Sequence, residues 1–73
     1  MSPRLPRLTA KEVRHLLETH GFQVVRQRGS HIILRDLQGR RVTLPSHSGR
    51  ILHPKILAAI MDDAGLTEAD LGA

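Results

Sequence analysis

The sequence predicts an α+β fold of order α-β-β-β-α, in which two helices cover one face of a three-stranded antiparallel sheet. Three observations carry that reading. An amphipathic stretch with its own start and stop signals opens the chain, three short β-branched runs follow with only turn residues between them, and a second amphipathic stretch comes after. Strands joined by short loops pair as a meander, and helices laid over one side are the two-layer way to bury its apolar residues. The other side of the sheet then stays open.

Residues 1–8, with Pro3 and Pro6 and no periodicity, read as an extended N-terminal arm, and residues 9–73 as one domain. Thr9-Ala10-Lys11-Glu12 matches a capping box, with Val13, Leu16 and Leu17 as an apolar stripe behind it. Gly21 supplies a left-handed residue just past the last turn, so a helix is expected over residues 10–20.

Phe22 to Gln27 is half alternating and β-branched, and His31 to Arg35 is a second apolar run, joined to the first by Gly29-Ser30. Asp36-Leu37-Gln38-Gly39 is a second turn, and Arg41 to Leu44 a third strand ended by Pro45. Strand alternation sets His31, Ile33 and Arg35 on one face and Ile32 and Leu34 on the other. Arg35 at the strand end favours a His31 that points outward or sits at the sheet edge, while a buried, hydrogen-bonded His31 is the alternative that this run leaves open.

Ser46 to Arg50 is polar and reads as a loop, after which Pro54 suits the first turn of a second helix. Ile56, Leu57, Ile60, Met61 and Ala64 form its apolar face and Gly65 its stop. Thr67-Glu68-Ala69-Asp70 opens a further short turn, with Thr67 as N-cap and Asp70 three residues on. The order as a whole is the layout of double-stranded-RNA-binding domains, a likeness of fold that does not by itself assign function.

Composition narrows the function. A 73-residue fold buries only ~60% of the surface its unfolded chain exposes, which makes reliance on a partner plausible. There is no cysteine, which excludes a disulfide framework and a zinc ribbon and fits a reducing cytoplasm. No apolar stretch approaches the ~18 residues of a membrane span, and the N-terminus lacks the apolar core of a signal peptide.

The net charge of +4 is unevenly spread. Up to Arg50, lysines and arginines outnumber Glu12, Glu18 and Asp36, whereas beyond it Lys55 stands against Asp62, Asp63, Glu68 and Asp70. Such a basic face collects polyanions. All of the cations except Lys11 and Lys55 are arginine, the residue suited to bidentate phosphate contact. Phe22 is the only aromatic residue, so the stacking platform of single-strand RNA binders is missing and contact is expected through phosphate, 2′-hydroxyl and helix shape.

The histidines are the catalytic material. Neither His15 with His20 nor His47 with His53 has the i, i+4 spacing of helical metal ligands, so no metal site is expected, and no glycine-rich phosphate loop or other cofactor motif is present. His31 differs because of its setting. An imidazole there could take the proton from a ribose 2′-hydroxyl or give one to a leaving 5′-oxygen, while Arg26, Arg28, Arg35 and Arg41 hold phosphate. Ser30 is a poor nucleophile, since a histidine next to it on a strand points to the opposite face, and reads instead as a turn residue whose hydroxyl or amide holds phosphate.

The run Leu17-Glu18-Thr19-His20-Gly21-Phe22, then Arg26 to His31, then Gly39 to Pro45, then His47-Ser48-Gly49 resembles the HicA toxin family of type II toxin–antitoxin systems, over roughly Thr9 to Leu66. The resemblance implies an mRNA interferase: a toxin endoribonuclease with a double-stranded-RNA-binding-like fold, held inactive by a HicB-type antitoxin; the residues themselves point to cleavage without a metal. It also implies that His31, the histidine of the Gly-Ser-His motif, is the active-site residue, with Gly29 and Ser30 beside it. Pro45, His47, Ser48 and Gly49 fall on a family segment that is expected to be structural or RNA-facing. The chain departs from the family pattern in the second helix, which Pro54-Lys55 opens and Asp62-Asp63 nearly closes.

Three readings follow from the residues. The first is an endoribonuclease acting on RNA with His31 in proton transfer and His47 as a candidate second acid. The second is a non-catalytic RNA-binding module, and the third a pure docking domain for an acidic protein. No membrane and no small-molecule cofactor enters any of them.

Overall fold

The capping box predicted at Thr9 forms. In the computed structural model, which describes residues 7–47 and 49–72, the Glu12 amide donates to Thr9 Oγ1 at 3.3 Å and the Thr9 amide to Glu12 Oε1 at 2.9 Å. The helix α1 that they start runs Ala10–Thr19 and buries Ala10, Val13 and Leu17. At its end the Gly21 amide donates to the Glu18 carbonyl and the Phe22 amide to that of Leu17, the double bond of a Schellman motif, with Gly21 at φ +91°. Leu17 and Phe22, the pair such a motif brings together, are both buried.

Three strands follow, β1 (Gln23–Arg28), β2 (His31–Arg35) and β3 (Arg41–Pro45), antiparallel in the order β1-β2-β3. Helix α2 (Pro54–Ala64) then packs mainly on β3, and a short α3 (Glu68–Gly72) ends the described chain. This is the α-β-β-β-α arrangement with a helical layer over one sheet face. Leu34, Val42 and Leu44 from the sheet meet Val13, Leu17 and Leu57 from the helices, all 0 or 1% exposed. Each such side chain contributes about 1.5–3 kcal/mol through burial.

One detail differs from expectation and a second was not anticipated. Ile56, read as part of the apolar face of α2, is 42% exposed, because the buried stripe of that helix is Leu57, Ile60, Met61 and Ala64. The N-cap of α2 is His53, whose Nδ1 accepts from the Lys55 amide at 3.1 Å, a cap outside the usual Ser, Thr, Asp and Asn set. The arm expected over residues 1–8 lies outside the described residues except for Arg7 and Leu8. Leu8 packs on the core, and its carbonyl accepts from the Leu52 amide at 2.8 Å.

Pairing decides the faces. Ile32 and Leu34 point to the helices, so His31 is exposed and the buried alternative is excluded. In β1 the ladder slips between Val24 and Arg26, leaving Val25 as a bulge that is 56% exposed. Without the bulge, strict alternation could not keep Phe22 and Val24 inward and Arg26 and Arg28 outward. One extra residue resolves that conflict.

Candidate functional site

The outer face of the sheet is built from three cross-strand rows. Arg28, His31 and Pro45 form the first, Arg26, Ile33 and Thr43 the second, and Gln23, Arg35 and Arg41 the third. Residues directly opposite on paired strands project to the same side, so the register brings His31 together with Arg26, Arg28, Arg35 and Arg41. No carboxylate stands among these rows.

Proximity to His31 is graded along the sheet. Arg28 is directly opposite, Arg26 is one row away, and Arg35 and Arg41 lie four residues along, about 13 Å at ~3.3 Å per residue. Arg28 is therefore the arginine paired with the imidazole, and Arg35 and Arg41 are the pair farthest from it on this face. Arg35 and Arg41 face each other directly, a like-charge pair that costs stability in the free protein.

Gly29 and Ser30 form the two-residue loop between Arg28 and His31. Gly29 has φ +55° and Ser30 a negative φ, the sign pattern of a type II′ hairpin turn with glycine in its first central position. An added Cβ on Gly29 would meet nothing within 4 Å, so the glycine is required by conformation rather than by space. Gln27, which sequence reasoning did not single out, donates from Nε2 to the Gly29 carbonyl at 3.3 Å and ties the turn down. The Ser30 carbonyl accepts from the Ser46 amide, extending the β2–β3 pairing past Pro45 and anchoring the loop that carries His47 beside the hairpin tip.

His47 is exposed and lies beyond the sheet, on that loop. The loop's far end is held by the Thr9–Ile51 bridge and the Leu52–Leu8 hydrogen bond. His15 and His20 are exposed on and at the end of α1, in the helical layer that covers the opposite side of the sheet. Ser48 is outside the described residues. Among the described residues no three of His, Cys, Asp and Glu are grouped as metal ligands, and no helix is long and apolar enough to cross a membrane.

Several of the remaining charges are engaged away from this face. Arg40 donates from Nη1 to the Ala64 carbonyl at 2.9 Å and its Nε lies 3.7 Å from Asp36 Oδ2, so this arginine clamps the β2–β3 turn to the end of α2. Glu12 and Asp70 are held below the usual carboxylate range, foremost by the backbone N–H groups of Thr9 and Thr67 and then by the hydroxyls of the same residues. Asp62 and Asp63 are exposed on α2, in the helical layer and away from the arginine rows.

The bulge at Val25 and the pairing of Pro45 with His31 were not foreseen. The signal for the bulge was present, since Phe22, Val24, Arg26 and Arg28 share a parity that no single face of a regular strand can satisfy. Nothing local in the sequence put Pro45 opposite His31.

Among curated proteins, no sequence matches the chain. Residues 10–66 match the family described as the HicA toxin of bacterial toxin–antitoxin systems, a stretch that holds both main helices, all three strands and the His31 hairpin. The chain belongs to the HicA toxin family.

Proposed function

We propose that this HicA-family chain is an mRNA interferase, an endoribonuclease that acts in the cytoplasm with His31 in proton transfer and is neutralised by a HicB-type antitoxin. The observation that carries the reading is an exposed imidazole directly opposite Arg28 on a sheet face lined with arginine and free of carboxylate. RNA supplies its own nucleophile. Removal of the 2′-hydroxyl proton lets O2′ bond to phosphorus as the bond to the 5′-oxygen breaks, giving a 2′,3′-cyclic phosphate and, once that oxygen is protonated, a 5′-hydroxyl. His31 moves one of these protons, and Arg28 balances the charge that grows on the non-bridging oxygens.

Arg26, Arg35 and Arg41 hold flanking phosphates, Gly29 and Ser30 present amides and a hydroxyl at the hairpin tip, and His47 is the candidate for the second proton. An antitoxin that covers this face would block it by the same electrostatics that attract RNA. The test is digestion of RNA by the purified full chain with a chelator present. His31→Ala is expected to lose about 10²–10⁴-fold in rate while still binding RNA. Undiminished cutting by that variant, or intact RNA with wild-type protein, overturns the assignment, and binding without cutting supports the non-catalytic module instead.

A further inference from the structure

At the Pro45 end of the sheet, where β3 meets the segment leading into α2, lies a cleft of about 230 Å³. Pro45 and the buried Leu52 line it together with Ile51 and Ile56, which stay 50 and 42% exposed. His47, Arg50 and His53 complete the lining, all exposed. With Nδ1 of His53 accepting from the Lys55 amide, the neutral ring carries its proton on Nε2 and is held in orientation by its own helix cap.

An apolar floor with planar cationic or hydrogen-bonding groups at its margin is the chemistry of a nucleobase site, because imidazole rings and guanidinium planes stack on bases as well as binding their edges. The cleft is smaller than the roughly 300–1,000 Å³ of pockets that take whole drug-sized ligands, which fits one ring system rather than a nucleotide. Its position argues the same way. Pro45 is the direct cross-strand partner of His31, so a strand whose phosphate lies at the imidazole has its adjacent base within reach of the cleft.

We propose that the cleft lined by Ile51, Ile56, His47, Arg50 and His53 is a subsite for one unpaired base of the RNA strand, and that filling it selects which phosphodiester reaches His31. This rests on the endoribonuclease reading above. A base can enter only when it is unstacked, so the subsite favours single-stranded or looped RNA over continuous duplex. It also supplies what the lack of tyrosine and tryptophan withholds, since histidine and arginine take over the stacking role.

The experiment uses the full chain and a short single-stranded oligoribonucleotide of mixed sequence, cut by wild type, Ile56→Ser and His53→Ser. Serine at 53 keeps an oxygen to accept from the Lys55 amide, and Ile56 is half-exposed, so both variants retain the fold. Wild type is expected to cut at a few preferred bonds, and replacing the base beside the preferred bond with an abasic nucleotide is expected to slow that cut about tenfold. In either variant the same replacement is expected to change the rate less than twofold, with cuts spread along the strand.

Equal cutting of intact and abasic strands by wild type overturns the subsite while leaving the endoribonuclease assignment standing. So does an unchanged cleavage pattern in both variants accompanied by loss of a neutralising protein partner, which makes the cleft a protein-docking patch. Absence of any cutting by wild type overturns both proposals together.

Discussion

Arg28 stands directly opposite His31 across a two-residue turn, and Val25, left out of the ladder three residues earlier, lets the same strand also turn Val24 toward the core. Because Val25 is the surplus residue, removing one valine is expected to regularise β1 without turning Arg26 or Arg28 to the core. RNA binding in the deletion variant should stay within about tenfold of wild type, with a weaker local twist as the structural change. Loss of all RNA binding in a folded deletion variant would show that the bulge does more than set the faces.

Arg35 and Arg41 oppose each other, so the proposed phosphate-holding role and stability make opposite demands on that row. Arg41→Thr is expected to stabilise the free protein by about 0.2–1 kcal/mol. The same change should weaken RNA binding and lower the slope of log K against log salt by about 0.7–0.9, one counterion's worth. Arg40→Gln should do the reverse, destabilising by about 1–2 kcal/mol through the lost bond to the Ala64 carbonyl and leaving the salt slope alone. Thermal melts and anisotropy titrations over a salt series read both quantities. Equal slopes for the two variants would erase the distinction between the outer-face arginine and the clamp.

Acid should loosen the helix starts first. The Glu12 and Asp70 carboxyls titrate lower in the folded chain than in the unfolded one, held down foremost by the Thr9 and Thr67 backbone N–H groups. Their contribution is therefore full above the ordinary carboxylate values of about 3.9–4.3 and is lost as pH falls through the lower folded ones. Glu12→Gln is expected to flatten the acid limb of a Tm-against-pH curve and leave the neutral region level. An acid limb as steep as wild type's would remove Glu12 from the account.

Much of this was legible locally. The capping box at Thr9, the Gly21 stop, the Gly29-Ser30 hairpin and Pro54 in the first turn of α2 each involve residues within a few positions of one another, so their chemistry is written in short stretches of sequence. The Gly-Ser-His motif likewise singled out His31 as the residue to test, and the concentration of arginine before Arg50 raised the expectation of a polyanion partner. What a one-dimensional pattern does not contain is register. Alternation left two possible faces for His31, and only packing against α1 and α2 decided that Ile32 and Leu34 go inward. Cross-strand pairing then separated Arg28, beside the imidazole, from Arg35 and Arg41 at a distance, and took Arg40 away to the end of α2. The Pro45 contact and the cleft beyond it arise from residues far apart in the chain. They exist because burying the apolar side of the sheet forces one register, and that register carries every outward side chain to a fixed neighbour.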